Sequence, residues 1–163
     1  LSWQNISGIT PNELPTLSAG AFAVSYDVNN NRILYFGSGD GTLFFGDGRG
    51  MRIFKSTDDG DSWTSISNGL KPGTSINKIV ISPNDPTGNT LFAATFHGLY
   101  KTTNGGSLWT QIIPLDPSKH LICTDICFSP DGSRVYAVGP SAGHTPLPWN
   151  FFDGIEYWRS DDG

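Results

Sequence analysis

The chain has 163 residues and is acidic, with 10 Lys and Arg against 15 Asp and Glu for a formal net charge of −5. The basic residues are scattered with no basic stripe, which argues against nucleic-acid binding. No apolar stretch approaches the roughly 18 residues of a membrane-crossing helix, so no membrane span is expected.

In chain order, Trp3-Gln4-Asn5-Ile6-Ser7 comes first and parallels a later stretch, Trp63-Thr64-Ser65-Ile66-Ser67. A short apolar run over 21–26 ends in the turn Asp27-Val28-Asn29-Asn30, and a second strand is predicted over 32–37. A glycine-rich insertion, 38–50, precedes a third strand over 51–56, and a fourth begins at Trp63. The same grammar restarts with 76–81, the turn Ser82-Pro83-Asn84-Asp85-Pro86, then 90–95, 98–102 and a strand from Trp109. It starts once more with 124–128, the turn Ser129-Pro130-Asp131-Gly132, then 134–139 and 155–160, the last two separated by a second long insertion. Pro, Gly and Asn between these runs fit tight turns. The first strand of each set is nearly all apolar, which predicts burial on both faces. No segment sustains helical periodicity.

Cys123 and Cys127 fall in Cys-Thr-Asp-Ile-Cys. Four residues of strand span about 13 Å, too far for a bridge between them. They are expected on one face as small buried hydrophobes, and a zinc site would need more ligands nearby. No metal or cofactor is expected.

The third and fourth runs of each set are joined by a repeated octapeptide. Ser56-Thr57-Asp58-Asp59-Gly60-Asp61-Ser62-Trp63 returns as Thr102-Thr103-Asn104-Gly105-Gly106-Ser107-Leu108-Trp109, a pattern of Ser/Thr-x-Asp/Asn-x-Gly-x-x-Trp. Its lead-in repeats as Ile53-Phe54-Lys55, Leu99-Tyr100-Lys101 and Tyr157-Trp158-Arg159, and the third copy continues Ser160-Asp161-Asp162-Gly163. Asp58 and Asn104 suit a turn in which a short polar side chain bonds the nearby backbone. Gly60 and Gly106 suit positive φ, and the indoles act as apolar plugs whose N–H still finds a partner. Asp58 is read as a turn residue rather than a metal ligand or acid.

These residues resemble the Asp-box of the BNR-repeat β-propellers: sialidases, xyloglucanase-like glycoside hydrolases, sortilin-type receptors and a photosystem-assembly factor family. The resemblance implies an all-β fold of propeller blades, each with four antiparallel strands. Its structural residues would be Ser56, Asp58, Gly60, Trp63, Thr102, Asn104, Gly106, Trp109, Ser160 and Asp162. Trp3 to Trp63 is 60 residues and Trp63 to Trp109 is 46, so about three blades fit, with boundaries near 1–18, 19–70, 71–117 and 118–163. Propellers close with about four to eight blades. The whole of 1–163 is therefore expected to be part of a larger propeller, completed by further blades or by another chain. The resemblance also implies a secreted, periplasmic or cell-surface location.

In a four-stranded antiparallel blade, successive connections alternate between two ends. The repeated octapeptides share one end with the first-to-second turns. The insertions 38–50 and 140–154 share the other, where binding and catalysis concentrate on a rigid scaffold. The middle blade has only Phe96-His97 there. Phe44, Phe45, Arg49, His97, His144, Trp149, Phe151 and Phe152 are the candidate ligand-binding residues, aromatic faces with a few polar groups such as a sugar or protein would meet. The competing reading is that the aromatics only pack their own loops.

Asp40, Asp47 and Asp153 are the candidate catalytic carboxylates of a glycoside hydrolase. Such an enzyme needs a pair about 5–5.5 Å or about 6.5–9.5 Å apart. The sialidase Phe/Tyr-Arg-Ile-Pro segment is missing, and only five arginines are present, so a three-arginine clamp is not evident. The cysteine-rich module that follows sortilin-type propellers is absent from the sequence. The preferred reading is a propeller module that binds a carbohydrate or protein ligand through its loop face without complete catalytic machinery. The alternative is a fragment of a xyloglucanase-like or sialidase-like glycoside hydrolase.

Overall fold

A computed structural model of the chain describes residues 2–3, 19–39, 52–113, 120–142 and 154–161. Four strands make a first sheet in the order of the chain: β1 (Ala19–Tyr26), β2 (Arg32–Ser38), β3 (Ile53–Ser56) and β4 (Thr64–Ser65). A second sheet follows with β5 (Ile76–Ile81), β6 (Leu91–Thr95), β7 (Gly98–Thr102) and β8 (Thr110–Ile113). In the third, β10 (Asp125–Phe128), β11 (Val135–Ala142) and β12 (Gly154–Ser160) run in order, and the short β9 (His120–Leu121) pairs with the far end of β11. Every pairing is antiparallel, and the described residues contain no helix.

The sheets stack face to face because their middle strands are apolar on both sides. All five residues of β6 are buried, and they divide by strand alternation. Leu91 and Ala93 join Ile33, Tyr35, Ile53, Ile76, Tyr100 and Trp109 between the first and second sheets. Phe92 and Ala94 join Leu99, Cys123, Ile126, Val135 and Ala137 between the second and third. Full burial of a side chain such as Leu91 or Phe92 stabilises by about 1.5–3 kcal/mol. Backbone approach is equally close: a Cβ on Gly20 would collide with the Ile76 carbonyl of the second sheet, and one on Gly139 with the Ile122 carbonyl beside it in the third.

Burial differs from the sequence expectation in one respect. The first strand of each set is not its most buried one; in the central sheet β6 and β7 hold that place. Ala21 and Ala23 of β1 pack inward, while Phe22, Val24 and Tyr26 on its other face are half-exposed. An apolar strand is buried on both faces only where sheets flank both, and nothing among the described residues covers this face of the first sheet. The cysteines also depart from expectation. Strand β10 starts at Asp125, so Cys123 lies before it, buried in the second cluster, and Cys127 is exposed on the opposite side.

Candidate functional site

Strand order sorts the connections into two ends. At one end the repeated octapeptides close the β3–β4 and β7–β8 hairpins, beside the β1–β2, β5–β6 and β10–β11 turns. Their bonding is the same position by position. Ser56 Oγ donates to Asp58 Oδ1 at 2.7 Å and accepts from Gly60 N–H at 2.9 Å. Thr102 Oγ1 donates to Asn104 Oδ1 at 2.7 Å and accepts from Gly106 N–H at 3.2 Å. The same acceptor atoms take Ser62 N–H at 2.9 Å and Leu108 N–H at 3.0 Å. Gly60 and Gly106 have φ of 98° and 91°, a region that suits glycine.

Hydrogen bonds from the Ser62 hydroxyl, the Ser62 amide and the Ser56 hydroxyl hold the Asp58 carboxyl down at about 2. Such a group is an anion at neutral pH and cannot serve as a general acid. Asp131 in the β10–β11 turn is held at about 2 by the Ser129 hydroxyl and by the amide and hydroxyl of Ser133. A depression of about 540 Å³ at this end is lined by Asp27, Asn31, Arg32, Thr57, Asp58 and Asp59. Its carboxylates are engaged within the chain: Asp27 accepts from Asn29 and Asn31, and Asp59 pairs with Arg32 at 2.7 Å. The two indoles lie on corresponding faces. Trp109 is buried, donating from Nε1 to the Ile66 carbonyl at 2.7 Å, and Trp63 meets the Phe36 ring edge-on. Ser160, at the end of β12, begins the third copy; Asp162 lies outside the described residues.

At the opposite end the β2–β3 and β11–β12 connections leave the sheets. Asp40, Phe44, Phe45, Asp47, Arg49, His144, Trp149, Phe151, Phe152 and Asp153 lie outside the described residues. His97, in the tight β6–β7 turn, is half-buried; its amide donates to Thr95 Oγ1 at 3.0 Å, and its carbonyl accepts from Gln111 Nε2 at 2.6 Å. Sequence reasoning missed a pair nearby. Lys78 of β5 and Asp125 of β10 form a salt bridge at 2.9 Å between neighbouring inner strands, with side chains 48% and 57% exposed. The hydrogen bond from Lys78 lowers the Asp125 pKa, so this carboxylate too is a fixed anion. Asn77 Nδ2 donates to the Cys123 carbonyl at 2.7 Å and ties the same two sheets together. The signal available was Asn77-Lys78, two polar residues interrupting the apolar run of β5. Among the described residues no group of three or more His, Cys, Asp or Glu could hold a metal ion.

No protein-family model matches the sequence, and no curated protein matches it. Solved structures do. An ancestral GH74 enzyme is 22% identical at a TM-score of 0.65, over 88% of this chain and 19% of its own. The GH74 xyloglucanase from Xanthomonas campestris is 16% identical at a TM-score of 0.54, over 85% and 20%. YCF48 bound to D1 peptide is 14% identical at a TM-score of 0.49, over 83% and 35%. The chain thus spans about a fifth of the length of the GH74 structures it matches. The three stacked four-stranded sheets and the likeness to the GH74 structures make the chain an all-β array of β-propeller blades.

Proposed function

We propose that the chain is an Asp-box propeller segment, working outside the cytoplasm, that binds a glycan or protein through the end opposite its repeated turns. The observation that carries this reading is the asymmetry between the two ends. At the turn end, the carboxylates of Asp27, Asp58, Asp59 and Asp131 are engaged by neighbours within the chain. At the other end the two longest connections emerge from a rigid stack, beside the exposed Lys78–Asp125 pair. Functional loops on a rigid scaffold favour that end. Phe44, Phe45, Arg49, His97, His144, Trp149, Phe151 and Phe152 are its proposed contacts. The half-exposed Phe22 and Val24 on the first sheet, and Ile155 and Tyr157 on the third, support further blades or another chain flanking the array.

A glycoside hydrolase reading is favoured by a different observation, the GH74 enzymes among the similar structures. Asp40, Asp47 and Asp153 would then supply its carboxylates. The two readings separate on a panel of β-glucans, xyloglucan and sialosides. Saturable binding without product, lost on Trp149→Ala, is the expected result. Product release that Asp40→Asn or Asp153→Asn abolishes would establish the enzyme instead, and neither binding nor turnover would remove the glycan from the proposal.

A further inference from the structure

We propose that Asn68 is a modification site, losing its side-chain amide spontaneously to the Gly69 nitrogen to give aspartate and isoaspartate where the first and second sheets join. The inference is independent of what the loop end binds. The sequence holds two Asn-Gly pairs, Asn68-Gly69 and Asn104-Gly105. Ring closure onto an Asn side chain is easiest when glycine follows, because a residue without a Cβ leaves its nitrogen open and its backbone free to turn. The structure treats the two pairs differently. Asn104 Oδ1 accepts from Thr102 Oγ1 at 2.7 Å and from the Leu108 amide at 3.0 Å. The Gly105 amide, the nitrogen that would attack, is buried and donates to the Asn89 carbonyl at 2.9 Å. Asn68 and Gly69, by contrast, are both exposed. Among the described residues the Asn68 side chain makes one hydrogen bond, from Nδ2 to the Ser107 carbonyl at 3.3 Å, and none engages the Gly69 amide. The 68–69 peptide is tied through its carbonyl alone, which accepts from the Trp109 amide at 2.9 Å. Freeing the buried Gly105 amide is an added barrier that slows Asn104 by about tenfold or more relative to Asn68.

The Gly69 N–Cγ bond forms as the Cγ–Nδ2 bond of Asn68 breaks, and the Gly69 amide proton leaves with Nδ2 as ammonia. Water then opens the cyclic imide at either carbonyl. One opening leaves an aspartate in an ordinary main chain, and the other runs the main chain through the side-chain carbon as isoaspartate. Either product weakens the joint. The segment leaving β4 grips Trp109 at two points, the Asn68 carbonyl accepting its amide at 2.9 Å and the Ile66 carbonyl its indole N–H at 2.7 Å. A Cβ on Gly69 would collide with the Trp109 carbonyl, so the extra main-chain methylene of isoaspartate has no room there. Aspartate sets a carboxylate against the Ser107 carbonyl that Nδ2 had bonded.

The test is peptide mapping by mass spectrometry of the folded protein held at mildly alkaline pH, where the attacking nitrogen gives up its proton more readily, beside the same chain in urea. The folded chain should convert Asn68 to two products, isoaspartate among them, at least about tenfold faster than Asn104. In urea the two pairs should convert at similar rates. In the purified isoaspartate form the Trp109 amide should exchange about tenfold faster than in the parent, having lost its acceptor. An Asn68 that stays intact in the folded protein for as long as the chain in urea takes to convert overturns the proposal, as does an Asn104 that converts equally fast. Aspartate without isoaspartate overturns attack by Gly69. Isoaspartate with unchanged Trp109 exchange overturns the weakening of the joint.

Discussion

Asp58 and Asn104 occupy the same place in two copies of one turn and share two hydrogen bonds, but Asp58 alone also accepts from the Ser62 hydroxyl, and only Asp58 titrates. The Asp58 carboxyl is lowered to about 2, chiefly by the Ser62 hydroxyl, against an ordinary value of 3.8. A carboxyl more acidic in the folded chain than in the unfolded one stabilises the fold above the unfolded value. That contribution fades as pH falls from about 4 through about 2. The first turn should therefore loosen in acid while the second does not. In an NMR pH series the Ser62 amide should move with a midpoint near 2, and the Leu108 amide should stay still over the same range. Asp58→Asn should flatten the Ser62 curve; a Leu108 amide that moved with it would tie the shift to general acid unfolding instead. These turn residues were legible from sequence because the constraint on them is local: a side chain that bonds backbone two or four residues on, and a φ that suits glycine.

Strands were legible for a related reason, since apolar alternation and turn residues are read within a few positions. The predicted runs 76–81 and 98–102 coincide with β5 and β7, and the others differ at their ends by a few residues. Burial was not legible in the same way. The apolarity of β1 and β6 looks alike in the sequence, but among the described residues only β6 has a sheet on each side. The cysteines were misplaced because Cys123 precedes the strand that holds Cys127, so one alternation does not govern both. The Lys78–Asp125 pair joins residues 47 apart in sequence, a relation fixed only when neighbouring sheets stack. The short β9 carried no periodicity at all. Indole packing is where local motif and stacking meet. Trp109 is 2% exposed between two sheets, so Trp109→Ala should cost about 3–5 kcal/mol. Trp109→Phe keeps most of the ring contact but leaves the Ile66 carbonyl without its donor, a loss of about 1–3 kcal/mol. Urea unfolding of both variants beside Trp63→Ala checks this, and the half-buried Trp63 should cost less than Trp109.

At the scale of the whole array, stability should be graded from the middle outward. Opening β6 requires separating both apolar interfaces, since its residues alternate between the two clusters. Opening β1 disrupts only one, because Phe22, Val24 and Tyr26 already face outward. The third sheet is alike: Trp158 packs into the second cluster while Ile155 and Tyr157, at 65% and 76% exposure, do not. Regions with fewer buried contacts open at lower free energy than the global transition. Native-state amide exchange should therefore show β6 amides exchanging only by global unfolding, with β1 and β12 opening at least about 1 kcal/mol sooner. The gradient also reads the surroundings of the array. If the β1 amides proved as protected as those of β6, the outer face of the first sheet would have to be covered in solution, because the contacts among the described residues do not supply that protection.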